Sequence, residues 1–241
     1  MKLNELALIG VATATVVSCA PTKNEYASYE LYPVRSGSLT EMEYTPEVTN
    51  FTLWAPTADE VRLMLFDAGD GGHAYETVSM VSDKEGTWTA KVENDLIGKF
   101  YTFNVKIKDK WLGDTPGINA KAVGVNGKRA AIIDMKATDP EGWAQDKRPV
   151  LASPADAVIY EMHHRDFSID SSSGIQHKGK FLALTEEGTL SPEKLATGID
   201  HLKELGVTHV HILPSYDYAS VDETKLDENQ YNWGYDPKNY N

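Results

Sequence analysis

The chain has 241 residues, 41% of them hydrophobic and 24% charged, enough apolar material for one or two domains with cores of their own. Its 36 acidic against 23 basic side chains leave a net charge of -13, which argues against nucleic acid as a partner and leaves uncharged sugars open. The single cysteine, Cys19, excludes a disulfide framework and a cysteine-based metal site.

Residues 6–18 form an apolar or small run, too short to span a bilayer and of the length of a signal-peptide core. The run ends Val16-Val17-Ser18-Cys19, which resembles a bacterial lipoprotein box, cut before a cysteine that then carries lipid. On that reading residues 1–18 are a signal peptide, Cys19 is the lipid anchor, and the protein sits on a membrane of the cell envelope, periplasmic or at the cell surface. The competing reading is an uncleaved, buried segment with a core cysteine. Residues 19–46 follow as a tether, polar and without clear periodicity.

From residue 47 to 136 the pattern changes to period two. Val61-Arg62-Leu63-Met64-Leu65-Phe66 reads as a strand, and Asp70-Gly71-Gly72 as a turn. Residues 87–92 put Trp88, Ala90 and Val92 on one face, and residues 101–107 alternate apolar with polar. Residues 130–134 add another short strand. Short strands at this spacing predict an immunoglobulin-like β-sandwich. Trp54 and Trp88 fall on strands and are expected in its core, whereas Trp111 is free to stack on a sugar. Residues 137–156, with Pro140, Pro149 and Pro154, read as a linker.

Residues 157–241 have a different grammar. Val158-Ile159-Tyr160-Glu161-Met162 suits a buried parallel strand, and a long Ser-, Gly- and Thr-rich loop follows over 168–190. Ser191-Pro192-Glu193 predicts a helix start, with Leu195, Ile199, Leu202 and Leu205 on one face and Gly206 at the end. Residues 207–213 read as the second strand. Strand, helix and strand make one right-handed crossover of an α/β barrel, whose eight units need about 250 residues. The chain ends Tyr231-Asn232-Trp233-Gly234-Tyr235-Asp236-Pro237-Lys238-Asn239-Tyr240-Asn241, aromatics interleaved with Asn and Asp as in a sugar cleft. His209 and His211 have the His-x-His spacing of a metal site, but are read here as structural histidines. No phosphate-binding glycine loop or Ser-His-Asp arrangement is legible.

These residues carry a resemblance. Residues 157–167, 195–214 and 231–241 resemble the start of the catalytic barrel of type I pullulanases, in glycoside hydrolase family 13. Phe51-Thr52-Leu53-Trp54-Ala55-Pro56 with Val61-Arg62-Leu63 looks like the opening of a family 48 carbohydrate-binding module, and residues 114–122 with 126–129 fit its end. The resemblance implies a β-sandwich followed by the first part of a (β/α)8 barrel, truncated at 241. It implies an endo-acting hydrolase of α-1,6 branches, with pullulan, starch or glycogen as partner. It assigns Tyr235 to stacking on a glucose ring, with Asp236, Trp233 and Asn232 as further substrate-binding residues.

The family's two catalytic carboxylates, held about 5 Å apart for retention, follow later barrel strands. No residue here is therefore assigned a catalytic role, Glu161, Asp166 and Asp236 included, and the chain alone is expected to be inactive. No cofactor is expected, with calcium left open by family analogy. The alternative function is a non-catalytic surface lipoprotein that binds α-glucan.

Overall fold

A computed structural model describes residues 26–240. Cys19 and the lipoprotein-box reading lie outside the described residues. The described amino-terminal half contains nine strands, β1 (Met42–Tyr44), β2 (Thr49–Trp54), β3 (Glu60–Phe66), β4 (Glu76–Ser79), β5 (Val81–Ser82), β6 (Thr87–Val92), β7 (Phe100–Ile107), β8 (Lys110–Trp111) and β9 (Ala130–Ala131). They form two antiparallel sheets, one ordered β1-β2-β6-β5 and the other β4-β3-β7-β8 with β9 also on β7.

Alternation decides which faces meet. Phe51 and Leu53 of β2, Trp88 and Val92 of β6, Val61, Leu63 and Leu65 of β3, and Tyr101 and Phe103 of β7 are buried together. Phe51 meets Tyr101 edge-on at 5.1 Å, and Tyr101 meets Phe103 at 5.4 Å. Each such aromatic or aliphatic side chain contributes about 1.5–3 kcal/mol on leaving water, so this cluster alone outweighs any surface ion pair of the module. The sandwich read from the sequence is therefore present. Trp88 is buried and Trp54 half-buried. The Trp54 indole N–H donates to the carbonyls of Pro33 and Glu85, and its ring lies 6.4 Å from Tyr32, which also meets Tyr26 and Tyr29.

Met42–Tyr44, inside the stretch read as a tether, pairs with β2 in the register Met42↔Phe51. Glu41 beside it is buried, and its carboxylate accepts from the Asn119 backbone N–H at 2.9 Å. Burial pushes that carboxyl above its ordinary value. Gly117, with φ +91°, makes room for it, since a Cβ there would run into the Glu41 carboxylate.

The carboxy-terminal half holds β10 (Ile159–Met162), α1 (Gly198–Glu204) and β11 (His209–Ile212). The two strands are parallel in the register Ile159↔His209, and α1 lies between them in sequence. Two expectations are corrected here. The strands are only partly buried: Met162 is covered, but Ile159, Val210, Ile212 and the adjoining Val158 stay exposed, because only two strands and one helix are available to cover one another. The helix starts at Gly198, not at Ser191. Lys194 takes a φ of +66° and Ser191 N–H donates to Leu195 O at 2.9 Å, so residues 191–195 close a turn that a helix cannot run through. Leu195 consequently points to solvent, and Leu205 is exposed as well, leaving Leu202 buried and Ile199 half-buried. Gly206, with φ +73°, ends the helix as expected.

The loop over 168–190 is tied down by its own polar groups. Ser168 is fully buried and accepts from Gly179 N–H at 2.7 Å. The Glu186 carboxylate accepts from the N–H groups of Gln176 and His177 at 2.8 and 2.7 Å, which holds its pKa below the ordinary value.

Candidate functional site

Both parallel strands deliver their chains to the same end of the sheet. After β10, His163 and His164 turn inward, each only 8% exposed. Their rings stack at 5.2 Å, His164 stacks on Phe181 at 4.3 Å, and Tyr218, after β11, lies 6.3 Å from His163. His163 Nε2, His164 Nδ1 and the Tyr218 hydroxyl are buried without a hydrogen-bond partner. Burial first, then the neighbouring charges of His163 and Arg165, lowers the His164 pKa, so the ring is neutral near pH 7. His164, Phe181, Tyr216, Tyr218, Val221 and Leu226 line part of a cavity of about 770 Å³.

Arg165 joins this turn to the carboxy-terminal loop. Its guanidinium pairs with Asp166 at 2.6 Å and sits 4.4 Å above the ring of Tyr231. Tyr231 meets Trp233 edge-on at 5.4 Å.

The four residues assigned to sugar binding lie together in that loop but divide into two kinds. Asn232 is only 6% exposed and acts as an internal pin. Its amide donates to Ser220 Oγ at 2.6 Å and to Asp236 Oδ1 at 2.5 Å, and its carbonyl accepts from Gly234 N–H. Asp236 also accepts from Ser220 N–H at 3.0 Å, and its backbone carbonyl from Ala219 N–H at 2.8 Å. The bonds from Ser220 and then Asn232 hold the Asp236 carboxyl below its ordinary value, so it is ionised. Trp233 and Tyr235 are instead presented to solvent, 74% and 64% exposed. Tyr235 takes a φ of +66°, uncommon for an aromatic residue, on the frame that Asn232 and Asp236 fix. The arrangement offers two exposed aromatic faces on a braced loop, at the same end of the sheet as a largely apolar hollow lined in part by His164.

Other sequence candidates land elsewhere. The ring of Trp111 is half-buried and already covered by Arg62, whose guanidinium lies 4.0 Å from its centre. His211 Nδ1 lies 3.0 Å from Glu161 Oε2, both side chains exposed. Among the described residues no group of three or more His, Cys, Asp or Glu is placed to hold a metal ion. No described helix is long and apolar enough to cross a membrane. Sequence reasoning misses the buried pair His163 and His164. The adjacent polar residues gave no sign of burial, because what covers them, Phe181 and Tyr218, is distant in sequence.

Residues 40–123 match the family described as carbohydrate-binding module 48, the isoamylase N-terminal domain. Pullulanase of Bacillus subtilis (strain 168) is 39% identical over 198 residues, 82% of this chain and 26% of that protein. The crystal structure of the Paenibacillus barengoltzii pullulanase, in complex with maltohexaose and alpha-cyclodextrin, is 53% identical with a TM-score of 0.83, over 87% of this chain and 32% of that one. Bacillus acidopullulyticus pullulanase gives 42% identity and a TM-score of 0.81, over 87% and 25%. This chain thus spans about a quarter to a third of the length of these relatives. With a module 48 sandwich joined to a segment that follows the same relatives beyond it, the chain corresponds to the amino-terminal part of the type I pullulanases of glycoside hydrolase family 13.

Proposed function

We propose that the chain supplies the glucan-facing amino-terminal part of a debranching hydrolase acting on α-1,6 linkages in pullulan, starch or glycogen. In this reading residues 157–241 are the first crossover of a (β/α)8 barrel, supported by the parallel pair β10 and β11 with α1 between them. The observation that carries the proposal is the exposed ring of Tyr235 on a loop pinned by Asn232 and Asp236, at the carboxyl end of the parallel strands where such barrels bind substrate. A related pullulanase, 53% identical to this chain, was crystallised with maltohexaose.

Tyr235 offers a flat apolar face to the C–H face of a glucose ring, and Trp233 a second such face. Asn232 and Asp236 serve by fixing that presentation, since their hydrogen bonds are already spent inside the loop. The catalytic carboxylates are assigned to barrel strands beyond this segment, so the 241-residue chain releases no maltotriose from pullulan. Lipidation at Cys19 places the enzyme on the cell envelope. Labelled palmitate entering the wild type and not Cys19→Ser tests that point, and equal labelling overturns it.

Calorimetric titration of the chain with maltohexaose tests the site. Covering about 100 Å² of apolar surface is worth roughly 2.5 kcal/mol, so Tyr235→Ala weakens binding by about fifty-fold, whereas Tyr235→Phe loses much less. Wild-type chain that does not bind maltohexaose overturns the glucan reading. Phe as damaging as Ala overturns the stacking account.

A further inference from the structure

The module and the carboxy-terminal loop meet at one corner. Between the bridge partners Val123 and Ala130 the module chain turns back on itself, with Gly127 N–H donating to Gly124 O at 2.9 Å and Gly124 N–H to Arg129 O at 2.8 Å. At the apex, Asn126 and Gly127 both take left-handed conformations, φ +55° and +60°. This places the side-chain amide, the side-chain carbonyl and the backbone N–H of Asn126 against the other half of the chain. Its amide donates to Asp222 Oδ1 at 3.0 Å and its backbone N–H to Glu223 Oε2 at 2.6 Å, while its side-chain carbonyl accepts from Glu223 N–H at 2.7 Å.

Gly127 takes the far end of the same loop. Its carbonyl accepts from the Asn239 amide at 3.2 Å, and that amide also donates to Asp217 Oδ2 at 2.9 Å. Asp217 further accepts from the N–H groups of Lys238 and Asn239. A Cβ at Gly127 would run into both the Asn239 amide and the Asp217 carboxylate. Two consecutive module residues therefore hold the loop near its start, at Asp222 and Glu223, and near its end, at Asn239, which in turn is bonded to Asp217. Asn232, Tyr235 and Asp236 lie between those fixed points.

We propose that Asn126 and Gly127 are positioning residues: through them the module sets the orientation of the loop that presents Tyr235. The inference rests on the reading of Tyr235 as a glucan-stacking residue for its functional meaning, but not for its mechanical content. Nothing else in the module makes a comparable set of bonds to this loop among the described residues. On the module's side the contact is made by backbone and a short amide, which lose less freedom on being held than long charged side chains do.

Hydrogen exchange on the 241-residue chain tests this. Asn126→Gly keeps the left-handed turn and removes the side-chain bonds, and Gly127→Ala adds the obstructing methyl. Both are expected to speed exchange of the Ala219, Ser220, Lys238 and Asn239 amides by about tenfold, with protection in β3 and β7 unchanged. Maltohexaose binding is expected to weaken by about tenfold in each variant. A role confined to the stability of the module would lower protection in β3 and β7 as well, and that result overturns the proposal. Unchanged exchange in the loop overturns it too, as does a loosened loop with wild-type affinity. Should the wild type itself not bind maltohexaose, the glucan reading fails alone and the exchange pattern still decides the clamp.

Discussion

The two halves of the molecule spend similar local sequence in different ways. In the sandwich, alternating strands from two sheets face one another, and Phe51, Leu63, Leu65, Tyr101 and Phe103 vanish from solvent. In the parallel pair, the apolar Ile159 and Val210 stay exposed, because each sheet face needs a layer that two strands and one short helix cannot provide. Apolar content is thus not what makes a core; the number of surfaces able to meet is. The carboxy-terminal half compensates with polar bracing, through Ser168, Glu186, Asn232 and Asp236.

Four measurements break or sharpen this contrast. Phe103→Ala opens a void where both sheets meet and should cost the module about 3–5 kcal/mol, read as a fall in its denaturant midpoint. A loss under 1 kcal/mol would show that the sheets are not packed as described. Gly117→Ala forces an unfavourable φ and pushes on Glu41, and about 1–3 kcal/mol is expected; a silent variant would free Glu41 from its role under the sheet.

The third concerns acid. The Asp222 carboxyl is held down to about 2, from an ordinary 3.8, by the Asn126 side chain first and then by Thr224. Because its folded value is depressed, the contribution is complete above about pH 4 and is lost as the pH falls toward 2. Amides of the carboxy-terminal loop should lose protection across that window while β3 and β7 keep theirs. Loss that begins near neutrality would point to another group. The smallest effect is expected for Val210→Ser in β11, already exposed, with a change within about 0.5 kcal/mol. A loss like that of Phe103→Ala would mean that β11 is covered after all.

Much of the sandwich was legible because period two is a local property: β2, β3, β6 and β7 can each be read from six to eight residues. Strand β1 could not, since Met42-Glu43-Tyr44 is too short to show a period and sits in polar surroundings. The helix start was misread for a specific reason. Ser191-Pro192-Glu193 is good capping chemistry, but it serves a turn that Lys194 closes in the left-handed region. At the site, the aromatic and polar pattern of residues 231–241 was legible, and the division of labour was not. That Asn232 is buried while Trp233 beside it is exposed depends on Ser220, twelve residues away. Asn126-Gly127 reads as a turn in any sequence, but its partners Asp222, Glu223 and Asn239 can be found only once the chain has folded.

Trp54 carries a consequence of a different sort. Its indole is fastened to Pro33 and Glu85, and its ring faces Tyr32 in a file of tyrosines leading back to Tyr26. The amino-terminal segment therefore lies against a chromophore. Detachment of that segment would strip an aromatic neighbour and a hydrogen bond from the indole, reddening its emission and weakening the near-ultraviolet dichroism of the cluster, while the sheets behind it stayed intact. In a chain whose more exposed Trp143 and Trp233 are changed to phenylalanine, light alone would then report whether the amino-terminal segment is docked or loose.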